Sequence, residues 1–238
     1  MRTFKVMALA LLGAMSVSVA KAQDEVEASV SADVVSNYIW RGVKLDDAAI
    51  QPSAGISYKG LSLSAWGSYG LTSNFGTTSE FDLTVAYTTG SFNVGITDYW
   101  SNSDKYFLYD SHRTSHVFEA NVGYDFGPLS VQWFTNFAGA DARNDEGGRV
   151  YTSYVELNAP FTLGGLDWNA TLGFIPYGAN YCFYDVCTDS SIALNNLSIK
   201  ASKDIKVTDT FSIPVFAQVA TNPSTRTAGL IFGFTLKP

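Results

Sequence analysis

The sequence has little cysteine, histidine and basic charge, and it has no long hydrophobic run after its first 22 residues. Only two cysteines and two histidines occur in 238 residues. No stretch of 18 apolar residues follows Ala22, which excludes a helical membrane protein although 46% of the residues are hydrophobic. The apolar residues must therefore be distributed in another pattern.

The first residues have the three parts of a secretory signal peptide. Arg2 and Lys5 supply positive charge, an apolar run of 15 residues follows, and Ala20-Lys21-Ala22 offers a cleavage site. The run is shorter than the roughly 20 residues of a membrane-spanning helix. No cysteine near the cleavage site could carry a lipid anchor. We predict a signal peptide over residues 1–22 and an outer-membrane β-barrel over residues 23–238.

Without the predicted signal peptide, the chain is acidic. Removal of Arg2, Lys5 and Lys21 leaves 12 basic residues against 22 acidic ones, a formal charge of −10. This charge argues against nucleic acid as a partner. No Pro/Ser-rich linker, charge block or change in composition divides the chain, so we predict a single domain.

The mature sequence is a series of segments about ten residues long in which apolar and polar residues alternate. In one of them, Phe81, Leu83 and Val85 alternate with Asp82 and Thr84. Glycine, proline, asparagine or aspartate bounds each segment, as in strands joined by turns. About twelve segments occur, so the pattern predicts an all-β fold, a transmembrane antiparallel up-and-down β-barrel of about 12 strands.

Connection lengths and aromatic residues favour the bacterial outer membrane, with membrane lipid as a partner. Short connections, such as 59–60 and 127–128, alternate with long ones, such as 101–115 and 138–149, as periplasmic turns and extracellular loops do. Aromatic residues flank the apolar positions as two interfacial girdles would. Those beside short turns are Tyr58, Tyr87, Phe92, Tyr124, Phe161 and Phe211, and those beside long loops are Tyr38, Trp40, Tyr69, Trp100, Phe137 and Tyr151. A soluble sandwich or lipocalin-like barrel, with the apolar side chains inward, is the alternative.

The opening of the mature chain carries a family resemblance. Residues 32–42, Ala-Asp-Val-Val-Ser-Asn-Tyr-Ile-Trp-Arg-Gly, are followed by Gln51-Pro52 and by Gly-Ile-Ser-Tyr at 55–58. Together they resemble the opening signature of the TorF-like porins, bacterial proteins of unknown function. The closing segments 211–216, 222–223 and 229–236 also resemble that family. The resemblance implies an outer-membrane barrel and a pore, without a known substrate.

Charged residues on the polar side of the strands are candidates for the pore lining. Arg41 follows the first strand, where it either forms part of a constriction at the mouth or holds its loop by a salt bridge, with Gly42 allowing a tight bend. The candidate pore-lining or mouth residues are Arg41, Asp33, Glu80, Asp82, Glu119, Glu156 and Lys200. Acids outnumber bases among them, which predicts a preference for cations, unless the acids are solvated at the rims or paired internally.

The predicted function is a porin-like channel for small solutes or ions, without a cofactor or metal. A barrel of twelve strands lies between small filled barrels and wide porins, so inward aromatic residues could plug it: Trp66, Tyr99, Phe134, Tyr154 and Phe216. A closed barrel that uses the Tyr106–Tyr109 loop for surface contacts is the alternative. An outer-membrane lipase is a third, weaker hypothesis, based on Ser111, Ser115 and Asp110 near the histidines.

Cysteine and histidine each occur as one closely spaced pair. Cys182 and Cys187 lie in a predicted extracellular loop of an exported protein, and we predict a disulfide between them. Two thiols without a nearby histidine make a poor zinc site. His112 and His116 lie in or beside a predicted loop, where solvated side chains are expected.

Overall fold

The structure, a computed structural model, describes residues 25–72, 79–110, 113–179 and 191–238. These residues form strands and connections, and no helix among them is long and apolar enough to cross a membrane. The strands are β1 Glu27–Val35, β2 Tyr38–Trp40, β3 Val43–Asp46, β4 Ala49–Tyr58, β5 Leu61–Gly70, β6 Ser79–Thr89, β7 Phe92–Ser101, β8 His116–Asp125, β9 Ser130–Gly139, β10 Ser153–Leu163, β11 Leu166–Ile175, β12 Ala193–Lys206, β13 Ser212–Asn222 and β14 Thr227–Leu236.

Twelve of these strands form one closed antiparallel barrel. β1 pairs with β4 on one side and with β14 on the other, and from β4 to β14 each strand pairs with the next. Closure leaves no unpaired strand edge, which satisfies the backbone without help from solvent. The predicted all-β barrel of about 12 strands is confirmed.

The side chains of the barrel have the opposite orientation to those of a soluble barrel, since the apolar ones point outward and the polar ones point inward. Val85 of β6 and Ile96 of β7 are paired and point outward, with 51% and 49% of their surface exposed. The adjacent pair, Thr84 and Thr97, points inward and is buried, with the two hydroxyl oxygens 3.0 Å apart. The other exposed apolar residues of the wall follow the same parity, among them Ile56, Leu63, Val94, Val122, Leu172, Leu197, Leu230 and Phe232. The outside of the barrel is therefore an apolar band.

The aromatic girdle predicted beside the long loops differs from its prediction at two residues, Tyr38 and Trp40. All six aromatic residues predicted beside the short turns are exposed, as are Tyr69, Phe137 and Tyr151 at the other end. Tyr38 and Trp40 do not belong to the girdle, and the first strand does not reach Tyr38. β1 ends at Val35 because the chain then turns into the barrel, where Tyr38 is buried. The prediction for Tyr38 and Trp40 is therefore wrong.

The main apolar cluster lies inside the barrel, towards the end that carries the long connections. It consists of Val35, Tyr38, Ala49, Ala220 and Ile231, with Ile39, Trp40, Leu45, Trp66 and Phe216 packed against it. Most of the remaining inner wall is polar. The interior is thus organised around the residues that enter it after β1.

Candidate functional site

The connection between β1 and β4 forms a hairpin of β2 and β3 that has its own two-stranded sheet. Its turn consists of Arg41 and Gly42, both with positive φ, 49° and 79°, as two-residue hairpin turns require. A Cβ atom at Gly42 would lie 1.8 Å from the carbonyl oxygen of Asn195 in β12. The Asn195 side chain also donates a hydrogen bond of 3.0 Å to the Arg41 carbonyl. Only glycine therefore fits at the second turn position.

The hairpin spans the interior of the barrel from wall to wall. Tyr38 donates its hydroxyl to Glu80 Oε2 in β6 at 2.8 Å, while the turn rests on Asn195 in β12. Five strands separate β6 from β12 in either direction around the barrel, so these contacts lie on opposite walls. Ile39 meets a third part of the wall at Gly229 of β14, where a Cβ would lie 2.4 Å from Ile39 Cδ1. The hairpin therefore lies across the lumen.

Arg41 is the central residue of this arrangement. Its Nη1 and Nη2 atoms donate to Glu119 Oε2 and Oε1 of β8 at 2.6 and 2.9 Å, a bidentate ion pair. The guanidinium carbon lies 4.3 Å from the ring centroids of Trp40 and Phe134 and 4.4 Å from that of Tyr154. Tyr99 donates its hydroxyl to Glu119 Oε1 at 2.9 Å. The guanidinium thus fills a site with one carboxylate and three aromatic rings.

Burial and charge act in opposite directions on this guanidinium. Arg41 is buried, and burial disfavours its charged form. The charge of Glu119 and the hydrogen bonds to its carboxylate more than offset this effect and raise the pKa of Arg41 above its usual value. Arg41 therefore stays positively charged inside the barrel.

Further carboxylates of the inner wall surround the hairpin. Glu156 of β10 accepts hydrogen bonds from the Tyr154 hydroxyl at 2.7 Å and from Asn158 Nδ2 at 2.8 Å. Asp82 of β6 is buried, and its Oδ1 atom has no hydrogen-bond partner in the part of the chain that the structure describes. Glu119 and Glu156 thus interact with the guanidinium, and Glu80 and Asp82 add two carboxylates on the wall beside the hairpin.

The structure places all seven predicted pore-lining or mouth residues inside the barrel, but in two groups. The first group lies at the hairpin. It consists of Arg41 in the hairpin turn and of four wall residues near the hairpin, Glu80, Asp82, Glu119 and Glu156. In the second group, Asp33 of β1 and Lys200 of β12 interact electrostatically, and Lys200 Nζ lies 4.0 Å from the ring centroid of Phe216.

Two other acids of the polar parity lie at the rim instead. Asp125 ends β8, and its carboxylate accepts a hydrogen bond from the Gly127 backbone N–H at 2.7 Å. Asp167 is exposed at the start of β11. The alternative of solvated rim positions thus describes these two residues, whereas the acids near the hairpin are buried.

The aromatic residues predicted to point inward do so. Tyr99, Phe134 and Tyr154 are buried around Arg41, and Trp66 and Phe216 pack against the main cluster. Inward glycines make room for two of these rings. A Cβ at Gly173 would lie 2.0 Å from Tyr154 Oη, and one at Gly233 would lie 2.4 Å from Phe216 Cζ. Glycine on the inward parity is the sequence signal for these close contacts.

His116 does not have the solvated side chain that its position predicts. It begins β8 and is fully buried, because the Tyr106–Tyr109 loop covers it on the outer face of the barrel. Its Nδ1 atom lies 2.7 Å from Asp98 Oδ1 and its Nε2 atom lies 2.5 Å from the Tyr106 carbonyl oxygen. In a lipase, the second nitrogen would face a serine hydroxyl. Here a backbone carbonyl occupies that position.

Some predicted residues lie outside the described part of the chain. The predicted disulfide between Cys182 and Cys187 is one such case, and Ser111 and His112 are another. Within the four described ranges, no group of three or more histidine, cysteine or acidic residues could hold a metal ion.

Comparison with known proteins gives weak structural similarities, including the two that follow. No family model and no curated protein matches the chain. A chain from work on the in-meso crystallization of membrane proteins aligns with a TM-score of 0.43 and 7% identity, over 89% of this chain and 83% of the other. A mutant porin of Rh. blastica aligns with a TM-score of 0.39 and 10% identity, over 90% of this chain and 100% of the porin. Similarity at this level carries no functional argument.

Proposed function

We propose that this protein is an outer-membrane barrel that forms a narrow pore for small solutes with a preference for cations, and that it belongs to the TorF-like porins. The single observation behind the pore is the reversed polarity of the wall, which is apolar outside and polar inside. An apolar band of this extent on a monomer needs a partner, and lipid tails are the partner that fits a closed barrel on all sides. We propose no enzymatic role.

Polar atoms on the inner wall support a hydrated interior. Asp33 Oδ1, Asp82 Oδ1, Gln132 Oε1, Asn136 Oδ1 and Asn196 Oδ1 are buried and have no hydrogen-bond partner among the described residues. Buried polar atoms normally have a partner, and where protein does not supply it, water does. Since these residues belong to β1, β6, β9 and β12, water on the inner wall would surround the hairpin.

The hairpin of β2 and β3 would form the constriction of this pore. It crosses the lumen, and the positive charge at its tip interacts with Glu119 and Glu156, while Glu80 and Asp82 lie on the neighbouring inner wall of β6. Acidic groups that line a narrow passage favour cations and exclude anions. The surplus of carboxylates over the single guanidinium therefore gives the constriction its proposed preference.

Planar-bilayer recordings of the refolded protein test the pore. In a potassium chloride gradient, we expect discrete conductance steps and a reversal potential of the sign that potassium permeation produces. Asp82→Asn removes a carboxylate from the constriction and should shift the reversal potential towards zero. Asp167→Asn removes the same charge from the exposed rim and serves as the matched control. Absence of conductance in every salt would contradict the pore.

A closed barrel without transport is the second candidate, and the hairpin itself favours it. Contacts on β6, β8, β12 and β14 fix the hairpin across the lumen. If they close it completely, the wild-type protein is silent in the bilayer. Replacement of residues 38–46 by a glycine-serine linker should then open a conductance. A conductance in the wild type would reject this candidate.

A further inference from the structure

Arg41 shows which kind of ligand the inner wall can bind. Three of its contacts belong to the barrel rather than to the hairpin, namely Glu119, Phe134 and Tyr154, and a fourth barrel residue, Tyr99, donates a hydrogen bond to Glu119. All four are buried. They lie on the adjacent strands β7 to β10, whose geometry the barrel sets. The site would therefore persist if the Arg41 side chain were removed.

The chemistry of this site is specific for a guanidinium group. Both oxygens of Glu119 accept parallel N–H bonds at 2.6 and 2.9 Å, a geometry that a planar fork of donors matches and a compact ammonium does not. Phe134 and Tyr154 place their rings 4.3 and 4.4 Å from the guanidinium carbon, within the range of a cation–π interaction. Tyr99 fixes the carboxylate from behind. Together, the carboxylate and the two rings match a planar cation.

We infer that the inner wall carries a binding site for solutes with a guanidinium group, and that the chain's own Arg41 occupies it as an internal ligand. The inference rests on the proposed function, because a solute must reach the site through the lumen. Glu156 interacts electrostatically with Arg41, and Asp82 with Glu119. In the water-filled lumen of the proposed pore, their carboxylates would attract such cations and repel anions.

The hairpin makes Arg41 a competitor of any free solute. A short flexible tether alone would give its group an effective concentration on the order of millimolar, and a rigidly anchored hairpin raises it further. Asn195 and Glu80 hold the hairpin in addition, through the Arg41 carbonyl and the Tyr38 hydroxyl. Free guanidinium solutes should therefore bind the wild-type protein poorly and bind a variant without the Arg41 side chain much better.

Chemical rescue of Arg41→Ala tests this inference. The melting temperature of the refolded variant is measured in detergent with 10 mM methylguanidinium, methylammonium or sodium chloride. We expect methylguanidinium to raise the melting temperature by about 2 °C or more over the other two salts. The wild type, whose site is filled, should not distinguish the three salts. The double variant Arg41→Ala, Glu119→Gln, which lacks the carboxylate, should not distinguish them either.

Three results would overturn the inference: no difference between the cations in Arg41→Ala, an equal rise with methylammonium, or a rise that survives in the double variant. If Arg41→Ala does not refold alone, the same cations are added during refolding. Recovery of folded barrel with methylguanidinium only supports the site, and recovery with both cations or with neither rejects it.

The test separates the site from the pore. The melting temperature reports binding whether or not the protein conducts ions. A shift in melting temperature without conductance in either protein would keep the site and reject the pore. Conductance in the wild type without a shift in Arg41→Ala would do the reverse. If both hold, 10 mM methylguanidinium should also reduce the current through Arg41→Ala.

Discussion

Two connections at the same end of the barrel are fastened in similar ways on opposite sides of the wall. The hairpin of β2 and β3 enters the lumen and is held by Arg41 and Glu119. The Tyr106–Tyr109 loop folds over the outer face and is held by His116 and Asp98. In both cases a nitrogen-containing side chain faces a carboxylate and is surrounded by aromatic rings.

The inner fastening is the Arg41–Glu119 pair, and the outer fastening is the His116–Asp98 pair. The two pairs differ in the residues that enclose them. Arg41 meets the rings and carboxylates of several barrel strands, so the whole wall takes part in binding it. His116 is covered on its outer side by Tyr106 and Tyr109 of the loop, and Phe107 in that loop is 87% exposed. The comparison teaches that loss of the inner fastening should affect the whole barrel, whereas loss of the outer one should affect mainly its loop.

The largest effect is expected for Arg41→Ala. This change leaves Glu119 buried without its cation, and the loss of one partner from a buried ion pair costs about 3–5 kcal/mol. The free energy of unfolding from urea titrations of the refolded barrel measures the loss. Glu119→Gln together with Arg41→Ala removes both charges and should recover part of it. A loss below about 1 kcal/mol for Arg41→Ala would show that the hairpin does not stabilise the barrel.

The barrel could be predicted from the sequence because strand alternation is local. Pairs such as Val85 and Thr84 reveal by their order alone that successive side chains point to opposite faces. The hairpin was missed because Tyr38 and Trp40 continue the apolar parity of the first strand. The Arg41-Gly42 turn was the available signal, and it predicted a bend without its direction.

The site was predicted as a set of inward residues but not as an arrangement. Parity places Glu119 and Tyr154 on the inner wall, whereas their contact with Arg41 depends on closure of the barrel and on strand register. Glu119 lies 78 positions from Arg41, and Asn195 lies 154 positions from it. No local pattern encodes such distances. The burial of His116 was missed for the same reason, since it depends on how one loop folds over the wall.

The next largest effect is expected for His116→Ala, which breaks the outer fastening. The variant loses the bonds to Asp98 and to the Tyr106 carbonyl, which together should cost about 2 kcal/mol. Hydrogen exchange of residues 102–110 should accelerate, while that of the barrel strands stays unchanged. Acceleration throughout the barrel would remove the contrast between the two connections.

A similar or smaller effect is expected for Gly173→Ala, which disturbs the contact between Arg41 and Tyr154 indirectly. The added Cβ would lie 2.0 Å from Tyr154 Oη and displace a ring that covers Arg41. Overpacking of this kind costs about 1–3 kcal/mol. Gly123→Ala is the matched control, because its Cβ would meet the side chain of Gln132 instead. Tryptophan fluorescence, to which Trp40 beside Arg41 contributes, should change in the first variant and not in the second.

The smallest effect is expected for Lys206→Ala, which removes an exposed ion pair instead of a buried one. Lys206 Nζ lies 2.8 Å from Asp209 Oδ1 at the far end of the barrel, and both side chains are mostly exposed. The distance is close to those of the Arg41 pair, but water surrounds both charges and screens them. The free energy of unfolding should therefore change by less than about 0.5 kcal/mol. A loss as large as that of Arg41→Ala would contradict this expectation. It would mean that the contact distance, and not burial inside the barrel, determines how much an ion pair stabilises the protein.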